Sequence, residues 1–140
     1  MKTYTYTHQE LSTIVDRLHA LLQNCSVMTF TGPLGAGKTT IVRQLLRMCG
    51  VTAPITSPTF TYVNVYENNK GQTFYHFDLY RIESLHDFIQ AGFDEMLYQP
   101  NSWVFIEWPE IIMPLLKQRC DISIDYGDEP DVRTLKIECK

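Results

Sequence analysis

Gly32, Gly35, Gly37, Lys38 and Thr39 stand in the spacing G-x-x-x-x-G-K-[ST], the pattern by which a chain wraps a polyphosphate. Glycine permits positive φ, so the backbone can turn sharply and bring its N–H groups against phosphate oxygens. A helix starting at this point adds the positive end of its dipole. Lys38 is placed to reach the β- and γ-phosphates, and the Thr39 hydroxyl is a hard oxygen suited to Mg²⁺. The expected contacts therefore come from Gly35, Ala36, Gly37, Lys38, Thr39 and Thr40, and the expected ligands are ATP or ADP with Mg²⁺. A guanine-reading N-K-x-D sequence is missing, which favours adenine.

The flanking residues supply the elements such a loop requires. Ser26–Phe30 reads as a short apolar strand entering it. Ile41, Val42, Leu45 and Leu46 recur at helical spacing beyond it, with Gly50 as the stop. Upstream, Thr7 and Glu10 form a capping-box pattern ahead of an apolar face made by Leu11, Ile14, Val15, Leu18, Leu21 and Leu22. His8 and His19 accompany that helix and read as solvated or core-edge residues. The proline- and hydroxyl-rich stretch Val51–Pro58 reads as a loop. Placed one helix after the phosphate loop, it makes Ser57 and Thr59 candidate nucleotide or Mg²⁺ contacts, with a plain connection into the next strand as the equal alternative.

Two strand ends carry acids. Thr59–Tyr66 and Thr73–Phe77 read as a hairpin around Asn68–Gly71, and the second strand runs into Asp78, where a carboxylate can bridge a metal or orient water. Arg81 could pair with Asp78 or face a phosphate. Trp103–Glu107 is an apolar strand ending on Glu107, the form of the strand whose terminal acid holds Mg²⁺ in phosphate-loop proteins. Between them Ser84 opens a helix ending near Gly92. Trp108-Pro109 marks a sharp exit, followed by a short helix around Pro114. Asp121–Tyr126 and Val132–Ile137 form a closing hairpin. The expected architecture is α/β: a single P-loop NTPase-like domain over residues 1–140, its mixed β-sheet flanked by helices and carrying antiparallel hairpins.

Composition narrows the function classes. The 140 residues carry a net charge of −4, which gives no basic footprint for direct nucleic-acid binding. No apolar run reaches the roughly 18–20 residues of a membrane span, and the first residues lack a leader's apolar segment. A cytoplasmic location is expected. The four cysteines are scattered, so they read as small, partly buried, reduced thiols.

Together, Leu34–Thr40, Thr56–Phe60, His76–Arg81 and Ile106–Pro109 resemble, in order and spacing, the TsaE family, the small bacterial ATPase of threonylcarbamoyladenosine (t6A) tRNA modification. The resemblance covers nearly the whole chain. It implies that Lys38 and Thr39 serve phosphate and Mg²⁺, that Glu107 is the second metal ligand and that Asp78 is needed for hydrolysis. It also implies a switch-like role for Ser57-Pro58-Thr59, an aromatic beside the site at Trp108, and a nucleotide contact from Arg133. The implied partners are TsaD and TsaB, which modify adenosine 37, so that tRNA is met only through the complex. Pro33 stands where the family has Asp, and Ala91-Gly92 where it has Leu-Gly.

The functional expectation is a slow Mg²⁺-dependent ATPase activated by partner proteins. A small-molecule kinase would need an arginine-rich lid, and Arg43, Arg47, Arg81 and Arg133 form no such cluster in sequence. A nucleotide-gated binding module that does not need hydrolysis is the remaining alternative.

Overall fold

The computed structural model describes residues 1–58 and 60–140. One seven-stranded mixed sheet organises the chain. Its strands are β1 (Lys2–Thr7), β2 (Val27–Thr31), β3 (Val63–Glu67), β4 (Thr73–Asp78), β5 (Ser102–Glu107), β6 (Cys120–Tyr126) and β7 (Val132–Cys139). The helices are α1 (Leu11–Leu21), α2 (Lys38–Met48) and α3 (Leu85–Gln90). In space the strands run β1-β7-β6-β2-β5-β4-β3. The inner strands β6, β2, β5 and β4 are mutually parallel, while β3, β7 and β1 add antiparallel flanks. The expected α/β architecture with a mixed sheet and two antiparallel hairpins is what the chain adopts.

Alternation along the central strands divides the core in two. Met28, Phe30, Phe74, Phe105, Ile122 and Ile124 face α1 and α2, whose Leu18, Ile41, Val42, Leu45 and Leu46 are fully enclosed. Val27, Phe77, Val104 and Ile106 face the other way, against Phe88 of α3, Leu97, Ile112 and Leu116. A strand residue's parity therefore decides which helix it meets. His76, Asp78 and Glu107 have the parity of Phe74 and Phe105, so all three lie on the side of α2.

Local signals set the helix ends. Gly50 takes φ +93° after α2, with its N–H on Arg47 O and that of Val51 on Leu46 O, a glycine-stopped helix end that satisfies two terminal carbonyls. The Glu10 carboxylate accepts from both the N–H and the hydroxyl of Thr7 at 3.0 Å. This pair opens a 3-10 turn over His8–Glu10 that leads into α1. Ser84 caps α3 by accepting from Asp87 N–H, and the expected helix around Pro114 is a 3-10 segment, Glu110–Leu115.

Three sequence expectations require correction. The strand expected from Thr59 starts only at Val63. Tyr62 is left-handed at φ +66°, and its carbonyl accepts from Asp78 N–H, so the chain turns there before pairing. Lys2–Thr7, given no element from sequence, is an edge strand paired along its whole length with β7. The cysteines are not all reduced: Cys120 and Cys139 are joined in a disulfide. Pairing register brings the first residue of β6 opposite the last of β7, a proximity that sequence spacing does not reveal. Cys25 is buried and free. Cys49 is also free, and burial pushes its thiol up to about 11.

Candidate functional site

The phosphate-loop pattern lies where β2 ends and α2 begins, at the carboxyl edge of the parallel strands, the edge at which open α/β sheets collect their ligands. Gly37 is left-handed at φ +110° and caps α2, with Ile41 N–H on its carbonyl. Gly35 is also left-handed, at φ +78°. Lys38, the first residue of α2, is buried and folded back, donating from Nζ to the carbonyls of Gly32 and Pro33. Its ammonium also lies 4.2 Å from the centre of the Trp108 ring. Burial pulls the Lys38 pKa down, opposed by the charges of Glu107, Asp78 and Glu110.

Parallel pairing of β5 with β2 sets Glu107 opposite Phe30, and pairing with β4 sets it opposite Asp78. The two acids at the strand ends are thereby carried to the foot of α2. Thr39 Oγ1 donates to Glu107 Oε1 at 2.7 Å, and His76 Nε2 lies 2.6 Å from Glu107 Oε2. Both carboxylate oxygens of this enclosed side chain are therefore held. Asp78 is half-buried, with Oδ1 accepting from Tyr80 N–H at 3.1 Å. Burial pushes its carboxyl pKa up, with the Glu107 charge adding to the rise, against the Tyr80 N–H and the charges of His76 and Lys38.

A cleft of about 370 Å³ collects these groups: Lys38, Thr39, Thr40, Ser57, Asp78, Glu107 and Trp108 line it together with Gly35 and Gly37. Trp108 holds φ +57° immediately after Glu107, a conformation unfavourable for a bulky residue. Its ring packs on Tyr80 at 4.9 Å as well as on Lys38. The loop bearing Ser57 is tied to β3 through Asn64, which donates to Thr56 O at 3.0 Å. Thr59 lies outside the described residues. Arg81 is set over the Phe60 ring at 5.0 Å and makes no ion pair with Asp78 among the described residues.

Arg133 and Ala36 belong to a second recess, of about 310 Å³, on the other side of the loop. Tyr6, His8, Leu11, Pro130 and Asp131 complete its walls with Gly35, Gly37 and Thr40. Arg133 donates to Pro130 O and Val132 O and lies over the Tyr126 ring. The contribution of Tyr6 and His8 went unseen in the sequence because β1 itself went unseen. The alternation of Thr3, Thr5 and Thr7 with Tyr4 and Tyr6 was the available signal.

The raised Asp78 pKa has a consequence for stability. A carboxyl raised in the fold is disfavoured there when ionised, so the cost is present above its folded pKa and fades as pH falls through it. Asp78→Asn is expected to stabilise the protein modestly at about pH 8, read as a rise in Tm that stays small because the side chain is only half-buried. That advantage should shrink as the buffer is taken toward about pH 4.5. Thermal melts at both pH values check it; a variant no more stable than the parent at the higher pH would sink the argument.

Comparison with known proteins identifies the family. The family profile described as "Threonylcarbamoyl adenosine biosynthesis protein TsaE" matches residues 5–135. The tRNA threonylcarbamoyladenosine biosynthesis protein TsaE of Rickettsia felis is 36% identical over 123 residues, covering 86% of this chain and 70% of its own. The protein of the same name from Treponema pallidum is 44% identical over 98 residues, 70% of this chain and 68% of its own. Among solved structures, Bacillus subtilis YdiB superposes with a TM-score of 0.71 at 26% identity, covering 97% of this chain and 83% of the other. With a P-loop at the sheet edge, paired acids beneath it and a profile match over nearly its whole length, the chain belongs to the TsaE family of tRNA threonylcarbamoyladenosine biosynthesis.

Proposed function

We propose that the chain binds Mg²⁺-ATP at the P-loop and hydrolyses it slowly, as the ATPase of t6A tRNA modification acting with TsaD and TsaB. One observation carries the reading: Lys38, Thr39, Asp78 and Glu107, drawn from three separate segments, converge on one cleft beside a glycine-rich loop. In it the loop's N–H groups and the start of α2 receive the phosphates. Lys38 leaves the carbonyls of Gly32 and Pro33 for the β- and γ-phosphates. The recess beside Tyr6, His8 and Arg133 takes the nucleoside end, since it opens from the same glycines on the opposite side of the loop.

Thr39 and Glu107 offer a hydroxyl and a carboxylate oxygen 2.7 Å apart, a hard donor pair that fits Mg²⁺ held jointly by protein and phosphates. Bound there, Mg²⁺ would neutralise charge developing on the transferring phosphoryl group. Asp78, whose Oδ1 is fixed by Tyr80 N–H, orients the attacking water with its remaining lone pairs. Trp108 covers Lys38 and limits water at that end of the cleft. The place of action that follows is the cytoplasm. The Cys120–Cys139 bond, with Cys139 exposed, would there face a reducing thiol pool.

Hydrolysis of Mg²⁺-ATP by the pure protein, alone and with the cognate TsaD–TsaB pair, tests the reading. Slow turnover accelerated by the pair is expected. Failure to bind Mg²⁺-ATP would overturn it. Phosphorylation of an added small molecule in place of water would move the protein to the kinase class, and normal partner cycling by a hydrolysis-dead Asp78 variant would leave a nucleotide-gated module.

A further inference from the structure

We propose that His76 is a positioning residue for the Glu107 carboxylate and, through it, for the divalent cation of the nucleotide site; this rests on the reading above. His76 sits in the middle of β4, has no solvent exposure, and shares the α2 face of the sheet with Asp78 and Glu107. Its Nε2 lies 2.6 Å from Glu107 Oε2. An ionised carboxylate only accepts, so the hydrogen at this contact belongs to Nε2. Nδ1 has no hydrogen-bond partner among the described residues.

Among the described residues the imidazole therefore makes a single hydrogen bond, and that bond is to the acid. Stability alone gives a poor reason for such a residue. A buried polar atom left unpartnered costs free energy, and an apolar ring in the same place would avoid it. The division of labour on Glu107 supplies a better one. His76 holds Oε2 and Thr39 holds Oε1, so the carboxylate is fixed at both oxygens. When Thr39 and Oε1 turn to a cation, the histidine still holds the other oxygen and keeps the acid's terminal torsion set. Groups in this relation to a metal ligand change metal affinity by about 10–100-fold when removed.

Two substitutions separate positioning from packing. His76→Phe keeps a planar ring and removes the donor; His76→Gln places an amide N–H near the position of Nε2. Mn²⁺ binding to the ADP complex, followed by loss of the free Mn²⁺ EPR signal, is the readout, with ADP binding in EDTA and thermal melts alongside. We expect His76→Phe to weaken Mn²⁺ about 10–100-fold with ADP binding in EDTA unchanged, and His76→Gln to recover most of the loss. If His76→Phe does not fold, His76→Asn, whose amide falls short of Glu107, takes its place against His76→Gln. Equal Mn²⁺ affinity in parent and variants overturns the inference alone. So does a His76→Gln protein as weak as His76→Phe with the same drop in Tm, because the ring would then serve packing only. A parent protein that takes up no Mn²⁺ with ADP overturns the nucleotide–cation reading and this inference with it.

Discussion

Gly32→Ala is expected to lower Tm by roughly 10 °C, corresponding to a loss of about 3–4 kcal/mol. Gly32 holds φ +144°, and a Cβ built on it would lie 2.2 Å from the backbone carbonyl oxygen of Ile124. That oxygen belongs to β6, whose pairing with β2 ends at Thr31↔Ser123, so it cannot yield as a flexible side chain would. Relief requires the loop to lift from the sheet or the end of β6 to peel from β2. Either movement disturbs the core under Ile122 and Ile124. Domains of this size are held by only about 5–15 kcal/mol, so the loss is a large share of the total. A circular-dichroism melt decides: a midpoint within about 2 °C of the parent would show that the loop accommodates the methyl group. The first glycine of the motif is thus required by the sheet as much as by any phosphate.

Glu107→Gln is expected to reduce hydrolysis by roughly 100–1,000-fold with nucleotide binding retained in the absence of metal. The amide preserves volume in a fully enclosed position and can still accept from Thr39 or His76, so the fold should survive. What it removes is the negative charge at the cation position, whose effect is concentrated in the transition state. Single-turnover hydrolysis and fluorescent-ADP titration in EDTA separate the two effects. Hydrolysis within about threefold of the parent would mean that Asp78 is the metal-holding acid and that the roles assigned to the paired strand ends must be exchanged.

Much of this site could be seen in the sequence because its signals are local. The glycine-rich loop and the apolar run ending at Glu107 each declare themselves within about ten residues, and the hairpin before Asp78 within about twenty. What escaped depends on residues distant along the chain. Lys2–Thr7 becomes a strand because β7, at the far end, offers it a partner. Cys120 and Cys139 meet through hairpin register, and Tyr6 and His8 reach the recess only because β1 closes that edge of the sheet. His76 lies between the two cases. It stands two residues before Asp78, on the same strand face, but its link to Glu107 exists only once β4 and β5 are paired in parallel with Asp78 opposite Glu107.

The back-folded Lys38 bears on how a nucleotide arrives. Its ammonium rests on the Gly32 and Pro33 carbonyls beneath the Trp108 ring, so those oxygens stand in for the phosphate oxygens it would later hold. Under the proposed function, binding would be an exchange of anchors, in which an internal ligand is displaced by an external one. The same bonds cross-link the loop to itself, so under the proposed function release of a product would let the lysine close the loop again.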